Sequence, residues 1–190
     1  MKTIFEQGTF NAYQERSLQH AMNEVVRFSA QTTVFISHKH DDLGDLQGVL
    51  GFLEKHYNVK VYIDSRDSSM PAITSEVTAN NIKSRIEKCD KFILLATNGA
   101  IESKWCNWEL GFGDAKKYKN HIALFPMKPQ GTYDSSYKGN EYMRIYPYIC
   151  YFDGTERYTN GTSISKGYYI GEFKETGNYI TPLSEWFNSK

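Results

Sequence analysis

The sequence predicts an α/β fold in which helices cover both faces of a parallel sheet, and three features of the chain point to it. Short apolar runs rich in β-branched and aromatic residues recur at 33–36, 59–63, 92–96 and 121–125. Stretches with apolar residues at helical spacing separate them. The runs are apolar almost throughout rather than alternating, the pattern of strands buried on two sides. Polar loops follow their carboxyl ends, and in open α/β sheets that rim holds the ligand.

A chain of 190 residues fits one compact body with a single sizeable core. Lysine and arginine total 22 and aspartate and glutamate total 22, so no net field draws the protein to nucleic acid or an anionic membrane. A small molecule or a protein is the expected partner. Cys89, Cys106 and Cys150 are widely spaced and odd in number, unlike a zinc site or a disulfide scaffold, and read as reduced cysteines in a cytoplasmic protein. No targeting segment is evident, and no run approaches the ~20 apolar residues that cross a bilayer.

In chain order, Tyr13, Leu18, Met22, Val25, Val26 and Phe28 predict an amphipathic helix over 11–28. Residues 1–31 are therefore read as an N-terminal helical extension, and both packing on the body and binding a partner are open to it. The run Thr-Val-Phe-Ile at 33–36 ends in the polar cluster Ser-His-Lys-His-Asp-Asp at 37–42, and Leu46, Val49, Leu50 and Leu53 then recur at helical spacing. That is strand, loop and helix. The unit repeats with a strand at 59–63, a turn-rich loop at 64–70, Pro71 suited to a first helical turn, and Ile82, Ile86 and Cys89 on one stripe. Periodicity is poor over 71–80, which leaves the start of that helix open. A third unit has its strand at 92–96 and its loop at 97–103, and a fourth strand spans 121–125.

The helix that follows Ser103 carries the most unusual pattern. Trp105, Cys106, Trp108, Leu110, Phe112 and Ala115 sweep a wide apolar sector, and Glu109 falls inside it, one turn after Trp105. Gly113 is read as clearing space beside the carboxylate, at the roughly 0.8–1 kcal/mol that glycine costs a helix. A carboxylate set among tryptophans is the pattern of a site, and a glutamate that merely reaches solvent is the plain alternative. Six residues into its helix, Glu109 stands only ~9 Å from the helix start, close enough to the rim to belong to it.

After 125 the character changes, with ten of the fourteen tyrosines at 133–179. Strands are expected at 148–152 and 168–170, with a turn at Asn160 and Gly161 between them and a closing helix around Leu183, Trp186 and Phe187.

Three other chemistries fit the residues less well. His38, His40 and Asp42 begin a His-x-His-x-Asp-His metal loop, but Leu43 stands where the last histidine belongs, and His20, His56 and His121 bring no supporting motif. Asp41 and Asp42 could be the acidic pair of a phospho-receiver, yet the third strand ends without an acceptor aspartate. Gly111 and Gly113 lie within a helix and make no dinucleotide fingerprint.

The segment at 34–42, then Val61, Tyr62, Ile63 and Asp64, then 86–96, then Ser-Lys-Trp-Cys-Asn-Trp-Glu-Leu at 103–110 resemble the successive boxes of a TIR domain. The resemblance spans about 32–125, and its last box is the specific one. It implies a flavodoxin-like, doubly wound parallel sheet, with a TIR-like domain at 32–190. Within that domain 32–125 carries the motifs and 126–190 is a divergent, aromatic-rich extension.

In catalytic TIR domains the box glutamate is essential for cleaving the nicotinamide–ribose bond of NAD, and the resemblance places that role on Glu109. It also places Trp105 beside the nucleotide, Ser37 and His38 near its phosphates or ribose, and Asp64 in the mobile loop that forms the site between neighbouring subunits. NAD is then a substrate; no cofactor and no metal are implied. A short chain of this kind resembles the stand-alone TIR-like proteins of Thoeris-type antiphage systems. The implied product is ADP-ribose or a cyclic ADP-ribose that reaches a separate effector, with self-association through TIR surfaces. The rival reading is a non-catalytic adaptor that acts by TIR–TIR assembly, and such adaptors often lack the box glutamate present here.

Overall fold

The computed structural model describes residues 1–14, 31–63, 75–117 and 119–189. Its strands are β1 (Phe5–Glu6), β2 (Thr33–Ser37), β3 (Lys60–Tyr62), β4 (Lys91–Ala96), β5 (Ile122–Lys128), β6 (Tyr148–Phe152), β7 (Gly167–Lys174) and β8 (Gly177–Pro182). Its helices are α1 (Leu43–Tyr57), α2 (Glu76–Lys88), α3 (Asn98–Glu102), α4 (Lys104–Lys116), α5 (Asn140–Ile145) and α6 (Leu183–Asn188). The sheet runs β3-β2-β4-β5-β6-β7-β8, parallel from β3 to β6 and antiparallel across β7 and β8. The parallel part is the doubly wound, flavodoxin-like order expected from the sequence. The chain steps outward from β2 to β3 and then crosses back to β4, so the strand order reverses between β2 and β4. At such a switch point the connections leave the sheet on opposite faces and open a crevice at the carboxyl ends.

Alternation along the buried strands sorts their side chains into two cores. Val34 and Ile36 of β2 join Leu46, Val49, Leu50 and Leu53 of α1 and Leu183, Trp186 and Phe187 of α6. Phe35 joins Phe92 of β4, Ile82 and Ile86 of α2, and Leu110 of α4 on the other face. The start of α2, left open by the sequence, is fixed by Ser75, whose hydroxyl accepts from the Thr78 amide at 3.3 Å while Thr78 Oγ1 accepts from the Ser75 amide. The loop at 64–70 and Pro71 lie outside the described residues.

The N-terminal segment adds a strand that the sequence did not predict. Of the helix predicted over 11–28, the described residues show a 3₁₀ turn at Asn11–Tyr13 that leads into helical Gln14, and 15–30 lie outside them. Before that turn Phe5 and Glu6 pair in parallel with Met127 and Lys128, which explains why β5 runs past its predicted end and through Pro126. The segment then lies against α1. A Cβ on Gly48 would stand 2.6 Å from the Phe10 carbonyl oxygen, and one on Gly51 would stand 2.1 Å from that of Tyr13. Two glycines one turn apart thus let backbone approach backbone.

In the C-terminal region β6 is the fifth parallel strand, and β7 and β8 extend the sheet as an antiparallel hairpin. Gly161, at φ +84°, makes the expected turn. That turn closes a small bridge between Arg157 and Ser163 instead of joining the two strands directly. The fully buried Lys91 anchors α6, donating from Nζ to the Ser189 carbonyl at 2.9 Å and its hydroxyl at 3.0 Å, with the Trp186 ring 5.0 Å away. A cation at a helix C-terminus meets the negative end of the dipole. Burial nevertheless pushes the Lys91 ammonium down to about 8. Among the described residues no helix is long and apolar enough to cross a membrane.

Candidate active site

α4 begins where Ser103 accepts from the Cys106 amide at 3.3 Å, a side-chain cap that fixes the helix register. Cys106, Glu109, Leu110 and Gly113 form its buried stripe, at the i, i+3, i+4 and i+7 spacing of a face turned to the sheet. Glu109 is only 1% exposed and reaches the carboxyl end of β2, where the buried Ser37 hydroxyl donates to Oε2. Strand and helix therefore meet through a carboxylate and a hydroxyl at the edge of the switch-point crevice.

Two readings of the α4 pattern need correction. Gly113 clears no space for the carboxylate; a Cβ there would lie 3.2 Å from the Phe92 ring, so the glycine admits that ring and lets α4 sit close on β4. Trp105 is half-buried and off the buried stripe. Its ring stacks on Trp108 with centroids 4.8 Å apart, and Trp108 stacks on Phe112 at 6.2 Å. Lys83 of α2 places Nζ 5.7 Å from the Trp108 ring and 5.8 Å from Phe112. This ladder fixes Trp105 from the side.

The loop after β2 builds the opposite wall. His38 is buried and His40 exposed. Lys39 pairs with Asp41 at 2.8 Å, and its stem crosses Gly99 so closely that a Cβ there would lie 2.9 Å from Lys39 Cδ. Asp42, also buried, accepts from Thr97 Oγ1 at 2.6 Å, and burial raises its carboxyl above the ordinary value. Thr97 in turn caps α3 by accepting from the Ala100 amide at 3.0 Å. The N-terminal segment braces this wall: Gln7 Nε2 donates to Asp45 Oδ2 at 2.9 Å, and the Gly8 amide donates to Oδ1 at 2.6 Å. Asn98 ties the loop after β5 to α3 through the Ser136 carbonyl and the Lys138 amide.

Ser37, His38 and Glu109 thus converge on one rim, with Trp105 on the adjoining flank, while Asp64 lies outside the described residues. Among the described residues no three His, Cys, Asp or Glu side chains gather as a metal set. Sequence reasoning did not pair Asp42 with Thr97. Each is a common cap residue before a helix, and no spacing rule links residues 55 apart.

A sequence profile of the TIR domain family matches residues 34–160, more than half of the chain. The protein belongs to the TIR domain family. The matched TIR segment holds Ser37, His38, Asp42, Thr97, Trp105 and Glu109, and ends before β7, β8 and α6. The chain is also 30% identical over 118 residues to a protein of Bacillus cereus (strain MSX-D12) named probable 3' cyclic ADP-D-ribose synthase ThsB'. That match covers 61% of this TIR protein and 59% of the length of the relative.

Proposed function

We propose that this TIR protein cleaves NAD between nicotinamide and ribose and closes the remaining ADP-ribose into a cyclic nucleotide, the signal for a separate effector in bacterial antiphage defence. The observation that carries this reading is the buried Glu109 carboxylate, held by Ser37 at the switch-point crevice. The similarity to the Bacillus protein named a probable cyclic ADP-ribose synthase supports the cyclic product.

The chemistry suits a single carboxylate. Nicotinamide is bound to ribose as a positively charged pyridinium and departs neutral, so no general acid is required, in contrast to ordinary glycosides. Glu109 would hold the ribose hydroxyls and stabilise the oxocarbenium charge that develops as the bond breaks, an interaction strengthened where water is excluded. The pyridinium would lie against Trp105, held by the attraction of a cation for an indole face. Ser37 would position the carboxylate, and His38 would meet the ribose or phosphates. Copies of the chain would assemble through TIR surfaces, with Asp64 in the loop that completes a neighbour's site.

Purified protein incubated with NAD, alone at high concentration and with lysate from phage-infected cells, is expected to release nicotinamide. NAD left intact in both conditions would overturn the proposal and return the protein to the adaptor class.

A further inference from the structure

Side chains in a helix lean back over the turn before their own, and Trp105, the second residue of α4, has no earlier turn of that helix to lie on. Trp108, three residues on, leans back onto it. The two indoles stack with centroids 4.8 Å apart and planes 25° from parallel, and Phe112 closes the row beyond Trp108 at 6.2 Å and 20°. Trp108 therefore stands between two rings. The charges of the chain follow the same row: Lys83 Nζ lies 5.7 Å from the Trp108 ring and 5.8 Å from Phe112, and Lys116 Nζ lies 5.7 Å from Phe112. Among the described residues no lysine or arginine stands over Trp105, the ring nearest the helix start and the rim.

We propose that Trp108 is a positioning residue for NAD cleavage: it holds the Trp105 indole ready at the rim for the nicotinamide pyridinium, and so sets how tightly the oxidised nucleotide binds. This rests on the NAD-cleaving reading. A half-buried indole that is ordered only when substrate arrives costs binding energy, because its rotamer freedom is lost at that moment. An indole already stacked has lost that freedom in folding. Flanked by Trp105 and Phe112, Trp108 acts through Trp105 and does not itself touch substrate. The effect belongs to KM. As the bond to ribose breaks, positive charge leaves the nicotinamide ring, so the attraction of the indole face for it is stronger in the bound substrate than in the transition state. The place of Lys83 fits the same role, because a cation of the chain set directly on Trp105 would repel the pyridinium.

The test measures KM and kcat for nicotinamide release in the full chain. Trp108→Ala should raise KM about five- to tenfold with kcat within about threefold of wild type, and Trp108→Phe, which restores a ring, should bring KM back to within about threefold. Trp105→Ala should raise KM at least as much as Trp108→Ala. Because Trp108 acts through Trp105, the double variant should match Trp105→Ala within about twofold, whereas independent effects would multiply. An unchanged KM in Trp108→Ala, or effects that multiply in the double variant, overturns the proposal. So does a fall in kcat at constant KM, the mark of a residue that only supports the fold around Glu109. If Trp108→Ala fails to melt cooperatively, Trp108→Leu, which keeps apolar bulk without a ring face, takes its place. Failure of both to melt would make Trp108 a folding residue and overturn the proposal too. Wild type that releases no nicotinamide overturns the underlying reading, an outcome distinct from cleavage with unchanged KM in Trp108→Ala.

Discussion

Burying a carboxylate costs several kcal/mol unless polar partners replace its water, and Glu109 occupies a stripe position that packing alone would give to leucine. Ser37 supplies one such partner. Ser37→Ala should lower NAD cleavage about tenfold or more and cost about 1–3 kcal/mol of stability, read from nicotinamide release and urea unfolding. Unchanged turnover would remove Ser37 from the site. Asp42 gives a pH signature of the opposite kind from a salt-bridged acid. Its folded pKa is raised, so its contribution to stability is complete below the ordinary carboxylate range and is lost as pH rises through the raised value. The stability of Asp42→Asn relative to wild type should therefore grow as pH rises from the ordinary carboxylate range through the raised value. A constant difference across that window would contradict the burial argument.

At the scale of elements, the position of Glu109 depends on how closely α4 sits on β4. Gly113→Ala would set its methyl group 3.2 Å from the Phe92 ring, which must shift; the variant should gain less than the roughly 1 kcal/mol that alanine brings to a helix, and lose NAD cleavage beyond that of folded protein. Activity per folded molecule equal to wild type would show that the site tolerates the shift. On the opposite core, the depressed Lys91 binds fewer protons in the folded state than in the unfolded state between about 8 and its ordinary value. Stability should rise with pH across that window, and Lys91→Met should remove the rise in unfolding experiments. The sequence showed the strand, the Ser103 start and the apolar sector of α4, because each depends on residues near one another in the chain. The partner of Gly113 was not legible, since the ring it admits comes from β4. The cation over Trp108, the ring on which Trp105 stacks, comes likewise from another element, Lys83 of α2.

For the whole molecule, the doubly wound order was legible because alternating strands and helices leave few parallel arrangements. β1 was not: a two-residue strand has no periodicity, and its partners lie more than a hundred residues away. Yet Phe5 and Phe10 sit in the core with Phe52, Phe125 and Tyr168, and Gln7 and Gly8 brace the rim through Asp45. Gly51→Ala should dislodge that segment, lowering stability by about 1–3 kcal/mol and weakening NAD cleavage together; a thermal melt beside a turnover assay checks both. The core of the proposal is that Glu109 is the group without which the nicotinamide–ribose bond does not break. The most direct measurement incubates wild type and Glu109→Gln, matched for folded content by thermal melting, with NAD and infected-cell lysate and resolves the products by mass spectrometry. Nicotinamide and a cyclic nucleotide lighter than ADP-ribose by one water should appear with wild type alone. The same products formed at the same rate by Glu109→Gln would contradict the role assigned to that carboxylate.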